Sequence, residues 1–372
     1  MYTDFTGSLT KVGIAILLTF AVASGVMLLF QPSHGLQMTY DSRDFIAAGE
    51  GISNYLHGLN EDGKPLLHRQ PLLPFYLSFF ADKIFAAKIL NIVCLAVSVF
   101  LCGVVFKAIG VSDFYSYSGV GLILFSYPFL QPHFFVWSEP PFIALTLVLV
   151  WLVVTGRSPI WIFLVCLLLF FTRKAGAFLM FGVVCGYTID RKMKIALQLA
   201  IGFSVVVVSW EIFVQQISGG KASSFDILEY LSVISRKQYV EAFTTWFLPR
   251  QIPFYIRLMV LTFSLAVFLK LFANEFSLLL KTVSFRFVFV LVVCYFFCQV
   301  IPFGAPDYHE AERYVSVMLP LVFLLMVTML DRITLRNERQ ATYIRILFLV
   351  WCAYPLVRTF HHLFESRGYG EW

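Results

Sequence analysis

Residues 86–106 read AAKILNIVCLAVSVFLCGVVF, an apolar run whose one charge is Lys88 and which closes on Lys107. A helix needs roughly 20 such residues to cross a hydrocarbon core of about 30 Å, so this stretch is long enough to span a bilayer. It decides the fold because it is not alone. Upstream lies a comparable run at 12–30, and downstream apolar stretches follow at 115–130, 140–154, 159–171, 175–187, 195–213, 255–272, 287–301, 314–330 and 343–357, separated by short charged breaks. The pattern predicts an all-α, polytopic transmembrane helical bundle of about eleven spans, forming a single integral membrane domain over 1–372.

Composition excludes the main alternative. Hydrophobic residues make up 59% and charged residues 13% of the 372, with a mean hydropathy of +0.80, far from the balance of a soluble globular domain. The run at 12–30 follows Lys11, lacks a small-residue cleavage site and exceeds the core of a secretory signal, so it reads as a retained first helix. The net charge of +6 fits the Lys and Arg that cytoplasmic loops collect, and calls for no nucleic-acid partner. All seven cysteines fall inside apolar runs, where they serve as small apolar fillers rather than as a disulfide or zinc framework.

Two long polar loops stand out. With the amino terminus inside, the first, 31–70, emerges on the outer face. Within it Phe45, Ile46, Ile52 and Tyr55 recur at helical spacing, predicting an amphipathic helix over 42–56 that lies on the membrane. The stretch 71–80 carries Pro71 and Pro74 and is too short to cross, so a helix dipping in from the outer face is expected. The second outer loop, 214–253, breaks at Gly219 and Gly220 before an interfacial helix starting near Ser224. The basic segment Asp190, Arg191, Lys192 and Lys194 falls inside, as the orientation requires. The carboxyl terminus then falls outside.

Candidate chemical residues gather on the outer face. Group transfer at such a surface requires a base to take a proton and cations to stabilise a departing anion such as a phosphate. Asp41 and Asp44 are candidate bases, although Asp41 also fits a helix N-cap with Asp44 in a capping-box position, and the two roles are compatible. Glu139 precedes Pro140 and Pro141 where the helix dipole favours a carboxylate, and is also a candidate second acid, metal ligand or acceptor contact. Arg173 and Lys174 lie between two short apolar runs on the outer side, against the positive-inside tendency, which a phosphate partner or a plain interfacial turn would each explain. Arg69 and Arg313 stand at similar boundaries. His133, His309 and Glu310 offer ligands for a divalent cation beside Asp41 or Glu139, yet no two have a metal-site spacing, so no metal ligand is assigned. No Walker loop, dinucleotide glycine fingerprint or serine nucleophile elbow is present.

The order of these segments resembles a known superfamily. Tyr40-Asp41-Ser42-Arg43-Asp44-Phe45, then Ala47, Ala48 and His68-Arg69-Gln70-Pro71-Leu72-Leu73-Pro74-Phe75-Tyr76, resembles the opening of GT-C glycosyltransferases that use polyprenyl-phosphate sugars. Ser138-Glu139-Pro140-Pro141-Phe142 is similar to their acidic-Pro-Leu-Phe element, and Thr172-Arg173-Lys174-Ala175-Gly176 to their Thr-Arg-Pro-x-Gly element. Glu312-Arg313-Tyr314 with Leu319-Pro320 resembles their late Arg-Tyr-Leu-Leu-Pro segment. Gln70, Leu73 and Lys174 depart from those patterns.

Protein O-mannosyltransferases and lipid A aminoarabinose transferases are the families within that superfamily that the chain resembles. The resemblance implies Asp41 as base, Glu139 as second acid, and Arg69, Arg173 and Arg313 as phosphate contacts. It further implies a polyprenyl-phosphate-linked sugar donor, a glycolipid, polysaccharide or protein acceptor, and inversion at the extracytoplasmic face of a plasma membrane such as the bacterial inner membrane. The rival reading is a lipid-linked-sugar transporter or flippase, which would string polar groups along a transmembrane path.

Overall fold

The computed structural model describes residues 2–30, 35–55, 70–217, 236–300, 308–336 and 338–368. Arg69, Gly219, Gly220 and Ser224 lie outside the described residues. Within them every regular element is helical; the extended backbone makes one isolated bridge, between Gln37 and Phe135.

Helix α1 (Tyr2–Phe30) leads to the first loop, which holds α2 (Tyr40–Tyr55) and the short α3 (Leu72–Ser78). Next comes α4 (Lys83–Ile109), started by the Asp82 carboxylate accepting from Phe85 N at 2.9 Å and stopped by Gly110 at φ 88°, a left-handed conformation that glycine adopts at little cost. Then follow α5 (Asp113–Leu124), α6 (Tyr127–Leu130), a 3₁₀ turn (Gln131–Phe134), α7 (Glu139–Val154), α8 (Pro159–Thr172), α9 (Gly176–Ile189) and α10 (Met193–Ile217). The last six are α11 (Arg236–Thr244), α12 (Phe254–Lys281), α13 (Val283–Val300), α14 (Tyr308–Ser316), α15 (Leu319–Arg336) and α16 (Glu338–Gly368).

Five helices are long and apolar enough to cross a membrane: α4, α10, α12, α13 and α16, and the bent pair α14–α15 makes a sixth. Residues 15–29 of α1, with α7, α8 and α9, are shorter apolar helices. The protein is thus a multi-pass membrane protein. Small residues bring the helices close, as bilayers favour where no hydrophobic drive separates helix from lipid. A Cβ on Gly186 of α9 would stand 2.5 Å from the Phe287 ring of α13, and one on Gly202 of α10 would stand 2.7 Å from the Phe163 ring of α8.

Contacts sort the inter-helix turns into two ends. At one end Arg286 pairs with Asp190, Arg336 with Glu275 at 2.6 Å, and Ser112 Oγ donates to Asp331 at 2.5 Å. At the other end lie α2, α3, the 131–138 segment, the α8–α9 turn, α11 and α14.

Four expectations change in detail. The run 115–130 is not one helix: α5 stops at Leu124, Ser126 Oγ bonds back to Leu122 O at 2.5 Å, and Pro128 opens α6. The run 314–330 is also broken, because α14 and α15 meet at 60° with Pro320 in the first turn of the second, which puts Arg313 and Tyr314 on the outer piece. Past Phe272, where 255–272 was expected to end, α12 continues to Lys281 after a non-helical residue at Phe272 itself (φ −123°, ψ 21°). Finally, α2 turns its inner face onto protein. Ser42, Asp44, Phe45 and Ala48 are buried, and Gly49 lets α2 approach within van der Waals reach of Leu77 and Pro74 in α3.

Candidate active site

The expected cap of α2 belongs to another residue. The helix starts at Tyr40, and Thr39 Oγ1 accepts from Ser42 N at 3.3 Å, so Thr39 serves as the cap and Asp41 sits in the first turn. That carboxylate reaches Arg313 Nη1 at 2.7 Å. Asp44, one turn on, is completely buried, whereas the Asp41 side chain keeps 16% exposure. The Asp41 carboxylate is therefore the more accessible of the two.

Arg313 is the centre of the cluster. Its Nη1 also meets Glu310 at 3.2 Å, one turn back on α14, and its Nε donates to Glu139 Oε1. Glu139 opens α7 and has no exposed surface; the same Oε1 atom pairs with Arg173 Nη1. Its second oxygen, Oε2, is buried and has no hydrogen-bond partner among the described residues, leaving an acceptor that a hydroxyl or water could use.

Arg173 owes its place to the break between α8 and α9. It leaves α8 in an extended conformation (φ −151°, ψ 142°), and its carbonyl accepts from Gly176 N at 2.8 Å. A Cβ on Gly176 would stand 2.5 Å from the Leu169 carbonyl carbon and the Phe170 nitrogen, so the tight turn needs glycine there. The Arg173 guanidinium lies 5.6 Å from the Tyr314 ring, and Tyr295 Oη donates to Tyr314 O at 2.9 Å.

Three carboxylates and two guanidiniums thus meet at one end of the bundle. Buried charges persist only with partners, because desolvation costs several kcal/mol per ion. Here each arginine has a carboxylate, and arginine cannot discharge by losing its proton. The planar forks of Arg173 and Arg313 suit phosphate recognition.

Asp41, Glu139, Arg173 and Arg313 are therefore brought together from four distant parts of the chain. Lys174 sits half-buried at the same turn as Arg173. The histidine expectation fares differently. His133 is fully buried, its Nδ1 lies 3.0 Å from Phe129 O, and burial pushes its pKa down to about 4. Among the described residues no group of three or more His, Cys, Asp or Glu is arranged to hold a metal, and Asp41 and Glu139 are engaged with arginine instead.

Sequence reasoning passed over Trp137 and Thr39. The Arg313 guanidinium lies 4.2 Å from the Trp137 ring centroid, and Trp137 Nε1 donates to Thr39 Oγ1 at 2.8 Å. A tryptophan just before Ser-Glu-Pro-Pro, and a threonine one residue ahead of the α2 run, were the available signals. A second buried group lies on another face of α14, where Glu312 pairs with Arg358 at 2.5 Å and accepts from Tyr308 Oη at 3.1 Å. Arg358 and Tyr354 both donate to Thr245 O, at 2.9 and 2.7 Å.

Acids and arginines thus collect at one end of a helical membrane bundle, on the first loop, on α7, at the α8–α9 turn and on α14, and the bundle as a whole resembles a polytopic GT-C fold. A solved structure with this architecture, ArnT from Cupriavidus metallidurans bound to undecaprenyl phosphate, is similar over 97% of the chain and 71% of its own length, with a TM-score of 0.58 and 11% identity. No family profile and no curated protein sequence matches the chain.

Proposed function

We propose that the protein is a membrane glycosyltransferase that moves one sugar, a hexose such as mannose or a related sugar, from a polyprenyl-phosphate carrier to a hydroxyl of a glycolipid, polysaccharide or protein. The observation that carries this reading is Arg313 joining Asp41 to the buried Glu139–Arg173 pair. The ArnT fold supports it, since that protein was solved with undecaprenyl phosphate, the kind of carrier the two arginines suit.

In this mechanism Arg173 and Arg313 hold the donor phosphate, and Lys174 adds charge at the same turn. Glu139 holds both guanidiniums in register through one oxygen. Asp41 takes the acceptor proton as the acceptor oxygen bonds to the anomeric carbon from the face opposite the phosphate. The bond from that carbon to the phosphate oxygen breaks, its electron pair leaves with the polyprenyl phosphate, and the configuration inverts. In this reading the site faces outward, which the basic residues Lys107, Arg157, Arg191, Lys192 and Lys194 in the turns of the opposite end support by the positive-inside tendency. The gathering of the charged groups at the ends of the bundle, rather than along a transmembrane path, favours this reading over a flippase.

The test is sugar transfer by Asp41→Asn, with the product identified by mass spectrometry from a panel of lipid-linked sugars. Loss of a general base lowers kcat by about 10²- to 10⁴-fold while undecaprenyl phosphate binding persists. A fully active Asp41→Asn and Asp44→Asn double variant overturns the mechanism.

A further inference from the structure

We propose that Trp137 is a positioning residue that couples the phosphate-binding cation to the base, its ring face fixing Arg313 and its ring nitrogen fixing the first turn of the helix that carries Asp41. The proposal rests on the glycosyltransferase reading above and assigns to that site the part that sets the relative placement of its two charges.

The indole has a partner on each side. Phe135 stacks on it almost parallel, centroids 4.0 Å apart at 8°, and the Arg313 guanidinium lies 4.2 Å from its centroid. Two groups at those distances cannot share one face, so Trp137 is held between them. The stack leaves the Arg313 N–H edges directed outward to Asp41, Glu139 and Glu310, and those edges are what a phosphate would contact.

The ring edge performs the second task. Trp137 Nε1 donates to Thr39 Oγ1 at 2.8 Å, and that oxygen also accepts from Ser42 N at 3.3 Å. With both lone pairs used, the Thr39 hydroxyl proton is left for Ser42 Oγ at 3.1 Å. The cap of α2 is therefore tied to the indole, and Asp41 lies between the two capped residues in sequence. A shift of Arg313 and a shift of Asp41 meet at the same ring.

The ring itself sits on fixed backbone. Asn91 Nδ2 donates to His133 O at 2.9 Å and to Phe135 O at 2.8 Å, and Gln37 N donates to Phe134 O at 2.8 Å. One end of this latch is thus α4, a long spanning helix, and the other is the strand-like entry into the first loop. Such an arrangement suits a reaction in which misplacing the base by about 1 Å costs on the order of 10²-fold.

The experiment uses the full chain in detergent or nanodiscs and three variants. Trp137→Phe keeps a ring under Arg313 but lacks the N–H; Thr39→Val keeps the shape but lacks the acceptor; Thr39→Ser keeps the acceptor. The first two are expected to lose about 10- to 100-fold in kcat with KM for the donor and binding of undecaprenyl phosphate little changed, and their double variant to be no worse than either alone. Thr39→Ser is expected to restore near-normal turnover. Amide exchange over 40–45 should rise in both impaired variants. Wild-type kcat in Trp137→Phe, failure of Thr39→Ser to rescue, or parallel loss of donor binding and turnover would each overturn the proposal. If the wild-type chain transfers no sugar from any donor, the functional reading falls instead, and the amide exchange then decides the latch: unchanged protection of 40–45 overturns it.

Discussion

Glu139 concentrates the consequences of burial in one side chain. It has no exposed surface and neutralises two guanidiniums, so Glu139→Gln leaves Arg173 without its carboxylate and Arg313 with Asp41 and Glu310 alone. Removing one partner of a buried ion pair costs about 3–5 kcal/mol, and Arg313's remaining partners place this case near the lower figure. A denaturation series in detergent is expected to show that loss together with lost transfer, whereas Asp41→Asn, which leaves Arg313 still paired with Glu139 and Glu310, should lose transfer with a smaller loss of stability. His133 gives a pH signature of the opposite kind. Its folded pKa is about 4 because burial disfavours the charged ring, while the unfolded chain takes a proton at the ordinary value of 6.5. Above 6.5 both states are neutral and nothing is lost; as pH falls from 6.5 towards 4 only the unfolded state gains a proton, so stability falls through that window. The melting temperature of His133→Gln should therefore drop less steeply between pH 6.5 and 4 than that of the wild type, and equal slopes would remove the assignment.

At the scale of elements, the breaks in the helices carry the chemistry, and they were only partly legible. The Arg173 turn was readable because two charges separate short apolar runs and Pro159 opens α8. The division of α14 from α15 was not, since 314–330 is apolar throughout except at its start, and hydropathy does not register a 60° bend. Pro320 stands in the first turn after the bend, and the Glu312–Arg358 pair ties α14 to α16 on the side next to Arg313. The cap is ambiguous in sequence for a similar reason: Asp41 and Thr39 are both good N-cap residues, and it is Thr39 Oγ1 that accepts from Ser42 N while tied to Trp137. The α8–α9 turn yields a direct test. Gly176→Ala would push its new methyl into the backbone at Leu169 and Phe170, which cannot give way as a flexible side chain would. Transfer and undecaprenyl phosphate binding should both fall as Arg173 is displaced, whereas Gly121→Ala, where an added Cβ meets nothing within 4 Å, should behave as the wild type. Retained binding in Gly176→Ala would separate that turn from phosphate recognition.

For the whole molecule, apolar periodicity made the membrane bundle legible, while the meeting of residues 41, 139, 173 and 313 was not: contacts spanning 174 positions, as between Glu139 and Arg313, leave no trace in local pattern. The order of short motifs supplied the expectation, and packing supplied the distances. The same packing puts the acid–arginine cluster and the short basic turns at opposite ends, so the proposed outward orientation makes one claim about the entire chain. Arg43 is exposed on α2 at the cluster end, and Lys192 is exposed in the turn between α9 and α10 at the basic end. The native cysteines lie within apolar helices, which limits their reaction with a charged, membrane-impermeant maleimide. Arg43→Cys should therefore label in intact cells, and Lys192→Cys only after permeabilisation. The reverse pattern would turn the cluster to the cytosol and, with it, require a cytosolic acceptor. Labelling of both sites in intact cells would mean that the two ends are not separated by a bilayer, and the arrangement of spans would have to be redrawn.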